Sequence, residues 1–126
     1  MTPGEVQSSL CKSFCSDLFV QEIVGGLSIS TGMITDIGDR ISFQVVEHDG
    51  LYRFTDDGDF LSTLDASGLD IGSGGRDQFI SGILGSAGAF WDRDSYVICT
   101  PPQEGHPKPS DMLSFLTALI RVRDIR

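Results

Sequence analysis

The chain is short of cysteine, lysine and long apolar runs, and each shortage excludes something. Three cysteines, Cys11, Cys15 and Cys99, are too few and too odd in number for a disulfide framework, which fits a reducing compartment. Cys11 and Cys15 stand in a CxxxC spacing, which is neither a zinc knuckle nor a thioredoxin-like motif. On a helix they lie one turn apart, as small buried or half-buried residues, with Cβ atoms about 5–6 Å apart and so too distant for a bridge. Lysine occurs only at positions 12 and 108. No apolar run reaches the roughly 18 residues of a membrane span. The start, Met1-Thr-Pro-Gly-Glu5, has no basic segment followed by an apolar one, so no secretory leader is read there and a cytoplasmic protein is expected.

What remains is the composition of a folded, acidic domain. With 126 residues, 40% hydrophobic and 21% charged, the chain is expected to form a single α+β domain. The net charge is −9, from 18 acids against 9 bases. The excess is concentrated: Asp36, Asp39, Glu47, Asp49, Asp56, Asp57, Asp59, Asp65 and Asp70 face only Arg40 and Arg53, a net −7. Such a field repels phosphate and attracts a basic surface.

Periodicity sets the elements. Val6, Leu10, Phe14 and Leu18 recur every four residues and predict a helix from Gly4 to Val24, stopped by Gly25-Gly26. Leu27 to Thr31 alternates apolar and polar. Ile41, Phe43 and Val45 alternate, as do Tyr52 and Phe54, and Asp49-Gly50 stands between the two runs. Asp-Gly between alternating runs predicts a hairpin over residues 40–55. Gly38-Asp39 makes a second turn after a strand near Ile34–Ile37. A short helix follows from Asp59 to Ala66, capped by Asp57 or Asp59, with Phe60, Leu61 and Leu64 inward and Gly68 as its stop. A helix from Arg76 to Ser86 buries Phe79, Ile80, Ile83 and Leu84. A strand from Tyr96 to Thr100 ends at Pro101-Pro102. Residues 103–109 form an exposed loop. The last helix takes Ser110 as its cap and packs Met112, Leu113, Leu116, Leu119 and Ile120 on the sheet. The expected fold is α+β: an N-terminal helix, a mostly antiparallel sheet around a central hairpin, short helices, and a C-terminal helix on the sheet.

Several motifs invite chemistry. Asp56, Asp57 and Asp59 suggest a hard cation, yet an EF-hand counted from Asp57 would meet Leu61 at position 5 and Gly68 at position 12. Turn and cap duty accounts for these aspartates. His48 and His106 have no nucleophile at a telling spacing, and no G-x-S-x-G elbow exists. Gly72-Ser-Gly-Gly75 lacks the Gly-Lys-Ser/Thr of a phosphate loop, so it reads as a connector, although Arg76 beside it could meet an anion. Trp91 is core or an exposed anchor, with core favoured.

The segment Tyr52-Arg-Phe-Thr-Asp-Asp-Gly58, followed by Leu61, Leu64, Gly68 and Arg76, resembles the bacterial and phage family called domain of unknown function 1828. The resemblance spans residues 11–125, and its specific part is Thr55-Asp-Asp-Gly58. It implies a first amphipathic helix, a hairpin running into that segment, a helix after an arginine, one more strand and a final helix. It also implies a prokaryotic or phage setting, and it supplies no catalytic residues.

The function expected from charge and setting is a small non-enzymatic interaction domain. Asp36, Asp39, Glu47, Asp49, Asp56, Asp57 and Asp59 would bind a basic protein surface, in place of the phosphates that surface normally meets. An inhibitor of a nucleic-acid-binding host defence complex, such as an anti-CRISPR protein, is the concrete form. One alternative is an accessory domain of a nuclease or toxin system in which Asp56 and Asp57 hold a metal. Another is a structural domain whose acidity serves only solubility. No cofactor, no direct nucleic-acid contact and no membrane partner are expected.

Overall fold

A computed structural model describes residues 1–35, 38–66, 68–72 and 74–125 of the chain. Its elements, in order, are α1 (Pro3–Ser16), β1 (Phe19–Ile23), β2 (Gly26–Ile34), β3 (Arg40–His48), β4 (Leu51–Thr55), α2 (Asp59–Ala66), α3 (Gly74–Gly85), β5 (Phe90–Trp91), β6 (Ile98–Cys99), β7 (Gln103–Glu104) and α4 (Pro109–Arg123). All strand pairs are antiparallel and join one sheet in the order β1-β2-β3-β4-β6-β5, with β7 also on β4. The fold is α+β, as the patterning implies.

The hairpin sits where the Asp-Gly signal puts it. Asp49 and Gly50 both take left-handed backbone angles (φ 53° and 77°), as a two-residue turn matched to strand twist requires. The register pairs Val45 with Phe54 and Glu47 with Tyr52. Phe43, Val45, Tyr52 and Phe54 are all buried. Phe115 of α4 meets both Phe43 and Phe54, with ring centroids 5.4 and 5.8 Å away. Leu61 and Leu64 of α2, Ile80, Ile83 and Leu84 of α3, and Leu116, Leu119 and Val122 of α4 complete one hydrophobic cluster. Each such side chain contributes about 1.5–3 kcal/mol. Trp91 belongs to this core; its indole N–H donates to Ser81 Oγ at 3.0 Å.

Several expectations need correction. The first helix ends at Ser16, and residues 19–23 form β1 instead. The run Phe19-Val-Gln-Glu-Ile23 is rich in β-formers, and pairing with β2 satisfies its backbone, with Gly25 (φ 87°) in the connecting turn. The stripe of Val6, Leu10 and Phe14 is exposed, because α1 contributes no buried residue. Cys11 and Cys15 are therefore exposed, and Cys99 is half-buried. Ile34 closes β2, while the expected strand's Ile37 lies outside the described residues. The strand expected over Tyr96–Thr100 is only Ile98–Cys99; Tyr96 adopts φ 63° and its N–H donates to the Asp92 carbonyl. Part of the expected loop, Gln103–Glu104, pairs with β4. Helix α3 starts at Gly74, and Phe79 stands outside its buried face. Helix α4 starts at Pro109 with Lys108 as its N-cap, so Ser110 lies inside the first turn, where proline's missing N–H costs nothing.

Candidate functional site

Helix α4 packs on the face of β3 that carries Ile41, Phe43 and Val45, and α3 packs beside it on α4 and β5. Strand alternation sends Ser42, Gln44, Val46 and His48 to the opposite face. Their cross-strand partners there are Thr55, Arg53 and Leu51, opposite Gln44, Val46 and His48. Ser42, His48 and Arg53 are exposed, and Gln44 and Val46 half-buried. A groove of about 640 Å³ runs along this face. Gln44, Val46, Arg53 and Thr55 form its floor, and Val97 and Pro102 border it.

The candidate acids do not form one cluster. Glu47, Asp49 and Asp57 line this groove. Asp49 lies at the hairpin turn, where its carboxylate is 3.2 Å from His48 Nε2. Asp57 is exposed on the turn after β4 and adopts φ 61°. Glu47 shares the alternation of Phe43 and Val45, so its side chain leaves the strand on the helix side, beyond the end of the core. Asp39 and Asp56 line a different, smaller cavity of about 240 Å³ with Arg40, Ser42, Phe60 and Thr63. Asp36 and the side chain of Asp59 lie outside the described residues.

Asp56 is a correction to the expected surface. It is only 7% exposed. Its Oδ1 accepts the backbone N–H groups of Gly58 (3.0 Å) and Ile98 (2.8 Å), and its Oδ2 accepts that of Phe60 (3.1 Å). It therefore closes the turn into α2 and ties that turn to β6. The cap role expected of Asp57 or Asp59 is served by Asp56, because its side chain turns inward from the end of β4. Burial pushes its carboxyl above the ordinary aspartate range, against the N–H bonds that pull it down. A carboxylate so engaged is poorly placed to meet a partner or a cation.

Among the described residues, no group of three or more His, Cys, Asp or Glu side chains is placed to hold a metal ion. His48 and His106 are exposed and far apart in the chain. Cys99 is half-buried; its thiol is raised by desolvation and by the charges of Asp56 and Asp92, and lowered by Arg53. Arg93 stacks over the Trp91 ring at 4.7 Å and forms an ion pair with Asp77. The sequence reading missed Gln44, Val46, Arg53, Val97 and Pro102 as groove residues. The alternation that marks Phe43 and Val45 as core was the available signal for the first three. Val97 and Pro102 arrive from distant segments and carry no such signal. Among the described residues, no helix is long and apolar enough to cross a membrane.

The family model described as Domain of unknown function DUF1828 matches residues 31–122. The matched segment includes the hairpin, the Asp56 turn and nearly all of α4; α1, β1 and most of β2 precede it. Comparison with curated proteins and with solved structures finds no match.

Proposed function

The chain belongs to the DUF1828 family, and we propose that it is a non-enzymatic protein-interaction domain whose open sheet face receives a basic segment. One observation carries the reading: the groove on the uncovered face is lined by Asp49 and Asp57, and Glu47 borders its hairpin end from the edge of the other face. Arg53 on its floor is the counter-charge that an incoming cation must pass. Exposed single ion pairs contribute only about 0–1 kcal/mol, so affinity would come from several contacts and from steering by the net charge of −9. The matching partner is a surface built for nucleic acid, where these carboxylates stand in for phosphates. Inhibition of a phage-defence complex is the biological form this chemistry takes in a phage or bacterial setting.

A competition experiment tests the reading. A labelled oligoarginine peptide is bound to duplex DNA, and displacement by the protein is followed by fluorescence anisotropy. The unmodified chain should displace the DNA, less effectively as salt rises. The triple variant Glu47→Gln, Asp49→Asn, Asp57→Asn should lose displacement; asparagine tolerates the left-handed backbone at positions 49 and 57. A control triple, Glu22→Gln, Asp65→Asn, Asp94→Asn, removes equal charge from exposed positions elsewhere and should retain it. Equal loss in both variants would assign the effect to overall acidity. No displacement by the unmodified chain would leave the acidity as a solubility feature.

A further inference from the structure

We infer that the corner between the start of α3 and the end of α4 binds a small anion joined to an aromatic ring. A cavity of about 400 Å³ there is lined by Gly75, Arg76, Phe79, Arg121, Asp124 and Ile125. Two guanidinium groups face one space in a chain whose net charge is −9.

Structure alone accounts for only one of them. Arg121 lies in the last turn of α4, where the helix dipole favours a cation. Arg76 lies in the first turn of α3, where the same dipole disfavours one. Among the described residues, its guanidinium makes one long bond, from Nη1 to the Asp70 carbonyl at 3.3 Å. Arg121 reaches Ser86 Oγ at 3.5 Å, the outer limit of a hydrogen bond. A guanidinium carries five donors, so both arginines keep donors for an anion in the planar geometry that suits phosphate or carboxylate. An anion between them would also cancel the unfavourable placement of Arg76.

Two of the acids nearby are paired with other arginines. Asp124 is 2.9 Å from Arg123 Nε, and Asp77 pairs with Arg93. The space beside Gly75 in the first turn of α3 is open: a Cβ there would meet nothing within 4 Å. Phe79 supplies the second half of the ligand chemistry. It is 61% exposed, while its helix neighbours Ile80, Ile83 and Leu84 are buried. An exposed ring beside two cations fits an aromatic group attached to the anion. The inference is independent of the acidic groove, which lies on the other sheet face.

Phenyl phosphate is the simplest probe with both parts, and inorganic phosphate and phenol are its separate halves. Each is titrated into the full-length protein while backbone amide shifts are followed by NMR. Phenyl phosphate should shift residues 74–79 and 121–125 saturably, and each half should bind about tenfold or more weakly. Arg76→Gln and Arg121→Gln should each weaken phenyl phosphate by about tenfold, as expected for loss of a charge-assisted hydrogen bond. Phe79→Ala should reduce it to the level of inorganic phosphate. Lys12→Gln, an equal charge change on α1, should leave it unaltered. Thermal melts establish that each variant is folded, and either arginine variant alone suffices. Three results would overturn the inference: no saturable shifts in these segments, unaltered binding in the folded arginine variants, or inorganic phosphate binding as tightly as phenyl phosphate.

Discussion

Asp56 and Asp57 are adjacent, identical and opposite in role. One carboxylate is buried against three backbone N–H groups; the other is exposed on a left-handed turn residue. Composition marks both as acid and cannot separate them, because the separation comes from Ile98, 42 residues away, whose N–H draws one of them inward. That is why the expected acidic surface contained a member of the core. Replacing Asp56 with alanine leaves three N–H groups without their acceptor, at about 1–3 kcal/mol each, offset by relief of the buried charge. A net loss of about 3 kcal/mol is expected from denaturant melts, whereas Asp57→Asn should cost little. The pH dependence has a definite sign. Asp56 has a folded-state pKa raised by burial above its unfolded value. Its contribution is then fully present below the unfolded value and is lost as pH rises through the folded one. The stability advantage of the unmodified chain over Asp56→Asn should shrink across that window. An advantage that grows with pH would mean the N–H bonds outweigh burial. The cysteines divide by the same logic of burial. Exposed Cys11 and Cys15 should react quickly with a thiol reagent at neutral pH. Cys99, half-buried and raised by desolvation, should react slowly and join them only on unfolding. A Cys99 as fast as the other two would contradict its placement.

Elements set by local chemistry were legible, and elements set by a distant partner were not. The hairpin needed only Asp49-Gly50 and two alternating runs, and α2 runs from Asp59 to Ala66 as its stripe and glycine stop implied. By contrast β5, β6 and β7 are two residues each. They exist because β4 and one another offer free backbone groups, which no local periodicity records. The first helix failed differently: its stripe runs on through Leu18, yet the chain turns into β1, because β2 offers a paired edge. Gly26 shows how tight that neighbourhood is. A Cβ at Gly26 would collide with the Val45 carbonyl across the β2–β3 pair, so Gly26→Ala should separate the strands there and lower the melting temperature. The hairpin turn gives a graded test. Asn at position 49 accepts the left-handed conformation and should be near neutral. Val, β-branched and disfavoured at positive φ, should cost about 1–2 kcal/mol. Equal stability of the two variants would show that the turn does not hold its φ of 53° in solution.

Across the whole molecule, exposed apolar surface and buried core are unevenly divided along the chain. Val6, Leu10, Phe14, Phe19 and Val20 are all exposed, Leu10 by 66%, while the buried cluster begins at Ile29. The family match begins at residue 31, so the matched segment and the core nearly coincide. Helix α1 then stands on its own resources. These are a capping box between Thr2 and Glu5, with bonds of 3.2 and 3.3 Å, and a proline in its first turn. Caps contribute about 1 kcal/mol, and a helix of fewer than about 15 residues is marginal in water without tertiary burial. Two outcomes follow for the free protein. Amides of α1 should exchange with solvent far faster than those of α4, whose Phe115, Leu116, Leu119 and Val122 are buried. Removal of residues 1–16 should leave a cooperative thermal transition within a few degrees of the full chain, because α1 contributes no buried residue to the core. The two measurements check each other. If α1 amides are protected as strongly as those of α4, and truncation abolishes the transition, then α1 is covered in solution and its apolar stripe belongs to the folded unit after all.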